Sequence, residues 1–260
     1  MEAEEYFKKG NEHYLNGHHD CAISDYTKAI ELCPDHASAW CNRGIARSKK
    51  GDFKKALADL DEAIRIKPEN AGYWFLRGTV WMDKGEYDNA IDDFSQAIRL
   101  DSNQFRFFME RGCAWKEKEE QDKAIEDFTV AIRLNPDNVQ VLYYRGMTWL
   151  KNTQFDKAIA DFSEAIRKNP KNAEFWLLRS TVWNETGKYD KALADTNESI
   201  RLNPNNADAF AIRGAAWALK GELNKALEDF DRALLIDPNN QRALHNRSFA
   251  MTMKNHAGEA

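Results

Sequence analysis

The stretch WCNRGIARSKKGDFKKALADLDEAIRIKP occupies residues 40–68, and the chain returns to the same pattern every 34 residues. It reads WFLRGTVWMDKGEYDNAIDDFSQAIRLDS at 74–102 and WLLRSTVWNETGKYDKALADTNESIRLNP at 176–204. No insertion or deletion interrupts the series. A fixed period of this length indicates an array of equivalent structural units rather than a single-copy globular domain.

Each repeat is numbered here from position 1 to position 34, with Ala37 at position 1. All six prolines then fall at position 32, and eleven of the thirteen glycines fall at position 8 or 15. We therefore expect residues 1–260 to form a single array, ending in a capping or truncated helix at 241–254 and a tail at 255–260. Its full repeats are 3–36, 37–70, 71–104, 105–138, 139–172, 173–206 and 207–240.

Each repeat is predicted to contain two helices. The first covers about positions 2–14 and ends at the glycine of position 15, which suits a left-handed helix end. The second covers about positions 18–31 and is ended by the proline, which cannot donate the next helix hydrogen bond. Glu119 and Thr153 replace the turn glycine and Ser102 replaces a proline. These departures predict a local irregularity around the third to fifth repeats.

Small residues at positions 8, 20 and 27 and a bulky residue at position 24 complete the pattern, as in Gly78, Ala90, Ala97 and Phe94. With these features the chain resembles the tetratricopeptide repeat family over nearly its whole length. The resemblance implies an all-α fold, a right-handed α-solenoid of helix-turn-helix units. It also implies a concave groove lined by the first helices, in which such proteins bind other proteins.

The composition argues against several other classes of function. The net charge is −5, with no basic stripe that would suit nucleic acid. No apolar run is long enough to cross a membrane, and the first residues lack a signal-peptide core. We expect a cytoplasmic protein with neither cofactor nor metal. No catalytic motif is present, so we expect no enzyme activity. His13, His18 and His19 are interpreted as surface residues, and the tryptophans as core.

Two charged series run through the repeats. Position 7 carries arginine and position 23 carries aspartate, and Lys9 is the one exception in the basic series. Pairing within a repeat, pairing between neighbouring repeats and independent solvated charges are all open. Because Arg247 has an aspartate only upstream, we favour pairing between repeats. The predicted pairs are Asp25–Arg43, Asp59–Arg77, Asp93–Arg111, Asp127–Arg145, Asp161–Arg179, Asp195–Arg213 and Asp229–Arg247.

Positions 2, 5, 6, 9, 12 and 13 of the first helices lie opposite their buried side. In the family this arc faces the groove, and here it is largely apolar. A contiguous apolar stripe on a protein surface indicates a binding site, although positions 5 and 6 could also pack between neighbouring first helices. The predicted groove residues are Phe75, Leu76, Met82, Arg106, Met109, Lys116, Tyr143, Tyr144, Met147, Leu150, Leu177, Leu178 and Ile212.

One known function of the family is a clamp for the C-terminal carboxylate of chaperones. The resemblance places its two asparagines at Asn11 and Asn42, which are possible polar groove contacts. Phe7 stands where the clamp needs a lysine, and Gly72 and Leu76 stand where it needs basic residues. A chaperone clamp is therefore not expected.

The sequence predicts a non-enzymatic scaffold or adaptor that binds a peptide or helical segment of a partner in its groove. One alternative is a structural array that self-associates as a homodimer through the C-terminal helix or the aromatic segment Phe105–Phe108. Another is the regulatory repeat region of a larger protein. Neither the partner nor the process follows from the sequence.

Overall fold

The structure, a computed structural model, describes residues 2–258, and of residues 256–258 only the backbone. Over this part of the chain every regular element is a helix. The first helices of the full repeats are α1 (Ala3–Leu15), α3 (Ala37–Lys49), α5 (Ala71–Lys84), α7 (Phe105–Glu117), α9 (Val139–Lys151), α11 (Ala173–Glu185) and α13 (Ala207–Leu219). The second helices are α2 (His19–Leu32), α4 (Phe53–Ile66), α6 (Tyr87–Leu100), α8 (Gln121–Leu134), α10 (Phe155–Lys168), α12 (Tyr189–Leu202) and α14 (Leu223–Ile236).

The predicted helical hairpins are confirmed, and their bounds agree with the prediction to within one residue. The last helix, α15 (Gln241–Gly258), runs past the predicted end at 254. Asn255 stands where the other repeats turn, but it continues the helix. Of the predicted tail 255–260, Glu259 and Ala260 lie outside the described residues.

The chain divides into two compact units, Met1–Pro136 and Asp137–Ala260. The division falls at a position 32 proline, between a second helix and the next first helix. Within each unit, each first helix packs against the second helix of its own repeat, which in turn contacts the next first helix.

A close approach between the two helices of a repeat accounts for the pairing of glycine with an aromatic ring. A Cβ atom on Gly78 would lie 2.6 Å from the ring of Phe94, which is fully buried. The same contact recurs at Gly146 and Phe162. Alternation of a bare backbone with a large ring lets the two helices interlock at native packing density.

The turn between the two helices has one conformation in every repeat. The five turn glycines have φ between 70° and 83°, and Glu119 and Thr153 have φ of 63° and 54°. At Thr153 the backbone N–H bonds to the carbonyl of Leu150 at 3.1 Å, and that of Gln154 to Trp149 at 2.9 Å. The irregularity predicted for these two turns is therefore absent from them. The hydrogen bonds of the helix end hold a left-handed conformation even where no glycine is present.

Asparagine at position 34 begins several of the following helices. The side-chain oxygen of Asn70 accepts a hydrogen bond from the N–H of Gly72, and that of Asn172 from Glu174. An N-cap of this kind contributes about 1 kcal/mol, because it satisfies a helix donor that has no partner within the helix. The proline of position 32 thus ends the second helix of one repeat, and the asparagine of position 34 begins the first helix of the next.

The arginine series pairs within repeats, so the predicted pairing between repeats was wrong. Arg111 donates to both carboxylate oxygens of Asp127 at 2.8 Å, and Arg145 donates to both oxygens of Asp161. The same fork joins the remaining observed pairs, Arg43–Asp59, Arg77–Asp93, Arg179–Asp195 and Arg213–Asp229. The physical reason is that position 23 faces the first helix of its own hairpin, where the two helices approach most closely.

The ends of the series differ from the middle. Asp25 is bonded by His13 at 2.8 Å rather than by Arg43. Arg247 donates to Asp231 at 2.6 Å rather than to Asp229. The argument from the ends of the series therefore selected the correct upstream repeat for Arg247 but the wrong acceptor in it.

The arginines still connect neighbouring repeats, through position 25. The Nη1 atom of Arg111 donates to Ser95 of the preceding repeat at 3.0 Å, and that of Arg179 to Ser163 at 2.9 Å. Each such guanidinium thus binds a carboxylate in its own hairpin and a polar oxygen in the preceding one. Two fixed directions of donation make it a link that defines how successive repeats stack.

The tryptophans are half-buried rather than fully enclosed in the core. At position 4, the indole N–H of Trp40 donates to the carbonyl of Pro34 at 2.8 Å, and the guanidinium of Arg43 lies over the ring. At position 11, a lysine covers the ring, as Lys157 does over Trp149 at 4.2 Å. The tryptophan rings thus lie at the edges of the hairpins and are covered by cationic side chains.

Candidate functional site

The groove face is the surface formed by positions 2, 5, 6, 9, 12 and 13 of the first helices. In the first unit its N-terminal part contains a notch of about 460 Å³. Its lining residues are Asn11, Tyr14, Leu15, Tyr26, Asn42, Ile45 and Leu76. Three successive first helices contribute to it, so the notch exists only because the repeats stack.

The polar floor of the notch is a short hydrogen-bond chain. The side-chain oxygen of Asn11 accepts from the hydroxyl of Tyr26 at 2.9 Å and from the amide of Asn42 at 2.8 Å. Burial raises the pKa of Tyr26 to about 12, so its hydroxyl keeps its proton as a donor. These bonds leave the amide nitrogen of Asn11 and the amide oxygen of Asn42 to other partners. A donor beside an acceptor matches the two polar groups of a peptide bond.

Apolar side chains surround these amides. Leu15 is 84% exposed, and Tyr14, Ile45 and Leu76 are half-buried. The predicted site did not include Leu15, Tyr14 or Ile45. They occupy positions 13, 12 and 9, so the rule that selected the other groove residues would have found them in the first two repeats.

The middle of the first unit carries a second part of the groove face. Phe75, Leu76, Met82 and Met109 are half-buried. Phe75 contacts the ring of Phe107 with centroids 4.9 Å apart. These side chains therefore both support the packing of neighbouring first helices and offer apolar surface. The sequence had left open whether they form a binding surface or pack between helices, and they do some of each.

Charged groups lie among these apolar residues. Arg106 is exposed, and Lys116 forms an ion pair of 3.0 Å with Glu117. Burial raises the pKa of Glu110, and the nearby Arg106 opposes that shift. Burial also raises the pKa of Cys113 to about 12, so this thiol stays protonated and unreactive near neutral pH.

The aromatic segment Phe105–Phe108 is not a surface ridge. Phe107 and Phe108 are buried and Phe105 is half-buried. Phe108 stands at position 4, where three other repeats have tryptophan, and Arg111 lies over its ring. Phe107 and Phe108 pack inside the repeat and so offer little surface for the self-association predicted through this segment, which stays a prediction.

The second unit presents its own groove face. Tyr143 and Tyr144 are half-buried, with an edge-on ring contact of 5.5 Å between centroids. Both border a cavity of about 310 Å³. Its lining residues are Gln140, Tyr143, Tyr144, Asn172, Glu174 and Phe175. The predicted partial exposure of the two tyrosines is confirmed.

Four further predicted residues of this unit are also half-buried: Met147, Leu150, Leu177 and Leu178. Met147, Leu150 and Leu178 pack against the core around Phe162. Ile212 is different, because only 5% of it is exposed. The amide nitrogen of Asn184 donates to its carbonyl at 3.2 Å, which ties α11 to α13. Ile212 is thus a packing residue, and its assignment to the groove was wrong.

The histidine cluster is held by a structural contact. His13 bonds Asp25, and its ring lies 6.3 Å from that of His18. Over the described part of the chain, no group of three or more His, Cys, Asp or Glu residues is arranged to hold a metal ion. Within the same residues no helix is both long and apolar enough to span a bilayer.

Comparisons with known proteins give one family. Models described as tetratricopeptide repeat or TPR repeat match residues 41–105 and 150–207, residues 10–51 and residues 207–240. A search of curated proteins found no match.

Several solved structures share the fold. The C-terminal part of a repeat protein from Cytophaga hutchinsonii has a TM-score of 0.78 at 17% identity, over 92% of this chain and 98% of that one. A repeat protein from Parabacteroides merdae has a TM-score of 0.66 at 18% identity, over 96% and 98% of the two chains. YrrB, a TPR protein with an unusual peptide-binding site, has a TM-score of 0.55 at 24% identity, over 86% and 97%.

Proposed function

Because this chain belongs to the tetratricopeptide repeat family, we propose that it is a non-enzymatic scaffold that binds a peptide segment of a partner protein on its groove face. The observation that carries the proposal is the notch around Asn11 and Asn42. It joins a donor and an acceptor for a peptide bond to an apolar surface that leaves Leu15 84% exposed.

The chemistry of the notch favours an apolar ligand side chain over a terminal carboxylate. Phe7 lies where the carboxylate clamp needs its lysine, and its ring contacts His36 with centroids 4.7 Å apart. Leu76 lines the notch where a basic residue would be needed. A carboxylate here would lose its hydration without gaining a cation, which is unfavourable. An aliphatic or aromatic anchor would instead bury apolar area against Tyr14, Leu15 and Ile45.

The second unit supports the same kind of recognition with a different anchor. Tyr143 and Tyr144 combine a rigid apolar ring with a hydroxyl, a combination enriched at the centres of protein interfaces. Their cavity also holds the carboxylate of Glu174. We propose that this part of the groove face binds an apolar residue with a neighbouring polar or basic group.

The experiment is selection of peptides from a random phage-displayed library on the immobilised chain. We expect enriched peptides to share an apolar anchor and to lose binding to Leu15→Ser and to Asn11→Ala. The matched control is Leu235→Ser, since Leu235 is also largely exposed but lies on α14, away from the groove face. No enrichment, or equal binding to all three variants, would contradict the proposal.

A separate variant tests the second unit. Replacing Tyr143 and Tyr144 by serine should weaken the peptides selected there and leave peptides that depend on Leu15 unaffected. Helicity measured by circular dichroism should stay unchanged, because both rings are half-buried. A collapse of helicity would instead assign the two rings to the core.

A further inference from the structure

The last helix, α15, has one packed side and one uncovered side. At positions 3 and 10 it carries Ala243 and Ala250, which are fully buried in the core formed with α13 and α14. At positions 4 and 11 it carries Leu244 and Met251, which are 43% and 42% exposed. In the full repeats positions 4, 7, 8 and 11 border the second helix of the same hairpin. Among the described residues, no helix borders that side of α15.

The hydrogen bonds of Arg247 show what this side lacks. In α11, Arg179 donates from Nε and Nη2 to the two oxygens of Asp195. Arg247 is its equivalent, but its Nε atom bonds Asp231, and its Nη1 atom lies 3.3 Å from the sulfur of Met251. A thioether is a weak acceptor for a guanidinium. In the described part of the chain, Arg247 therefore has no carboxylate at the place where Asp195 binds Arg179.

The charge of α15 restricts what can cover it. Residues 241–258 contain Arg242, Arg247 and Lys254 and no acidic residue. A second copy of α15 would bring like charges together, which is unfavourable in a desolvated contact. A helix that carries a carboxylate is complementary.

Ser248 restricts the shape of the covering helix. It stands at position 8, where most repeats have glycine against an aromatic ring, and a Cβ atom there would come within 2.6–2.7 Å of such a ring. The chain itself shows the alternative. In the sixth repeat the position 8 residue is Ser180, and the residue opposite is Thr196, which is also fully buried. A serine at position 8 therefore requires a small residue across the contact.

We propose that this side of α15 binds an amphipathic helix of another protein. The helix presents an aspartate to Arg247, and the residue that follows the aspartate is small and faces Ser248. Small residues three before and four after the aspartate let the two helices approach closely. Within this chain α12 has that pattern, with Ala192, Asp195, Thr196 and Ser199. The proposal does not depend on the groove face.

The test uses a hydrocarbon-stapled peptide with the sequence of residues 189–202, YDKALADTNESIRL. The staple joins residues 190 and 194, which are exposed in α12. It is needed because so short a helix is marginal in water. Fluorescence anisotropy should show saturable binding to the full chain. Asp195→Asn in the peptide should weaken binding about tenfold, since the charge-assisted fork is lost. In an Arg247→Gln protein this difference between the two peptides should disappear.

A second pair of reagents tests the role of Ser248. The equivalent stapled peptide from residues 87–100, YDNAIDDFSQAIRL, places Phe94 where the first peptide has Thr196. It should bind the wild-type chain more weakly than the first peptide, and Ser248→Gly should reverse that order. Leu15→Ser on the groove face should leave both affinities unchanged.

Three results would overturn the proposal. One is no binding of the 189–202 peptide, with α15 still folded by circular dichroism. Another is binding that ignores Arg247, Ser248 and Asp195. The third is a stable dimer in sedimentation equilibrium that dissociates when Leu244 and Met251 are replaced by serine, because it would assign this side to a second copy of the chain.

Discussion

The fifth and sixth repeats are neighbours in the second unit, and each departs from the common pattern where the other keeps it. The fifth has the usual hairpin core, Gly146 against Phe162, but Thr153 at the turn. The sixth has the usual turn, with Gly187 at φ 70°, but Ser180 and Thr196 in the core. Both fold into the same hairpin. The comparison teaches that a repeat tolerates a departure either when a facing residue matches it or when surrounding hydrogen bonds hold it in place.

The two departures are tolerated in different ways. In the sixth, the extra atoms of Ser180 are matched by the loss of a ring at Thr196. The Thr196 hydroxyl donates to the carbonyl of Ala192 at 2.8 Å, so this buried hydroxyl is not left without a partner. In the fifth, nothing relieves the left-handed conformation of Thr153, and the hydrogen bonds of the helix end hold it in place. The core departure is a matched exchange, whereas the turn departure stores strain.

Removal of the large core ring should have the largest effect. Phe162→Ala leaves a cavity beside Gly146 and should cost about 3–5 kcal/mol. Thr196→Ala at the same position of the sixth repeat should cost about 1 kcal/mol, since it removes a small side chain and one internally satisfied hydroxyl. Urea denaturation of both variants measures the difference. Equal losses of stability in the two variants would show that the core of the sixth repeat depends on Thr196 as strongly as that of the fifth depends on Phe162.

Both repeats have the arginine fork, so removing its aspartate should destabilise the two repeats to a similar extent. Asp161→Ala strips Arg145 of its fork acceptor and should cost about 3 kcal/mol. Asp195→Ala should cost at least as much, because Asp195 also accepts a bond from the indole of Trp183 at 3.0 Å. The control replaces Arg145 and Asp161 together by methionine and leucine, which should recover most of the loss. A negligible effect of both single changes would show that water replaces the carboxylate.

The size match in the sixth repeat can be broken and restored. Thr196→Phe forces a ring against the Cβ atom of Ser180 and should cost about 1–3 kcal/mol. Adding Ser180→Gly recreates the pair found in the fifth repeat and should remove that cost. A double-mutant cycle read by thermal unfolding gives the coupling. Additive effects would mean that the two residues do not face each other as their equivalents Gly146 and Phe162 do.

The smallest expected effect is at the turn. Thr153→Gly relieves a β-branched residue at φ 54° and should stabilise the chain by about 1 kcal/mol. The reciprocal change Gly187→Thr should destabilise the sixth repeat by a similar amount, and the two together should nearly cancel. The melting temperature provides the measurement. Destabilisation by Thr153→Gly would indicate that the threonine is held there by a contact worth more than the strain.

The sequence predicted much of the groove face, and its misses have physical causes. Tyr143 and Tyr144 were identified because the angular arc of a helix follows from residue spacing alone. Ile212 obeys the same arc yet is buried, at a place where Asn184 on α11 bonds its carbonyl on α13. The segment Phe105–Phe108 suggested an exposed aromatic surface. A run of aromatic residues, however, does not reveal which rings pack against neighbouring helices.

The sequence by itself determined the repeat, the all-α fold and, in the seven full repeats, the helix bounds to within one residue. These depend on local chemistry: proline removes a donor, glycine adopts the left-handed turn, and small residues recur at the period of one hairpin. Only the tertiary structure decided which aspartate binds which arginine. Positions 7 and 23 recur equally often under either pairing, and the choice depends on which helix approaches closely enough for a bidentate contact. The close approach at Gly78 and Gly146 brings the two helices of one hairpin together, and the arginine pairs where that contact puts a carboxylate within 3 Å.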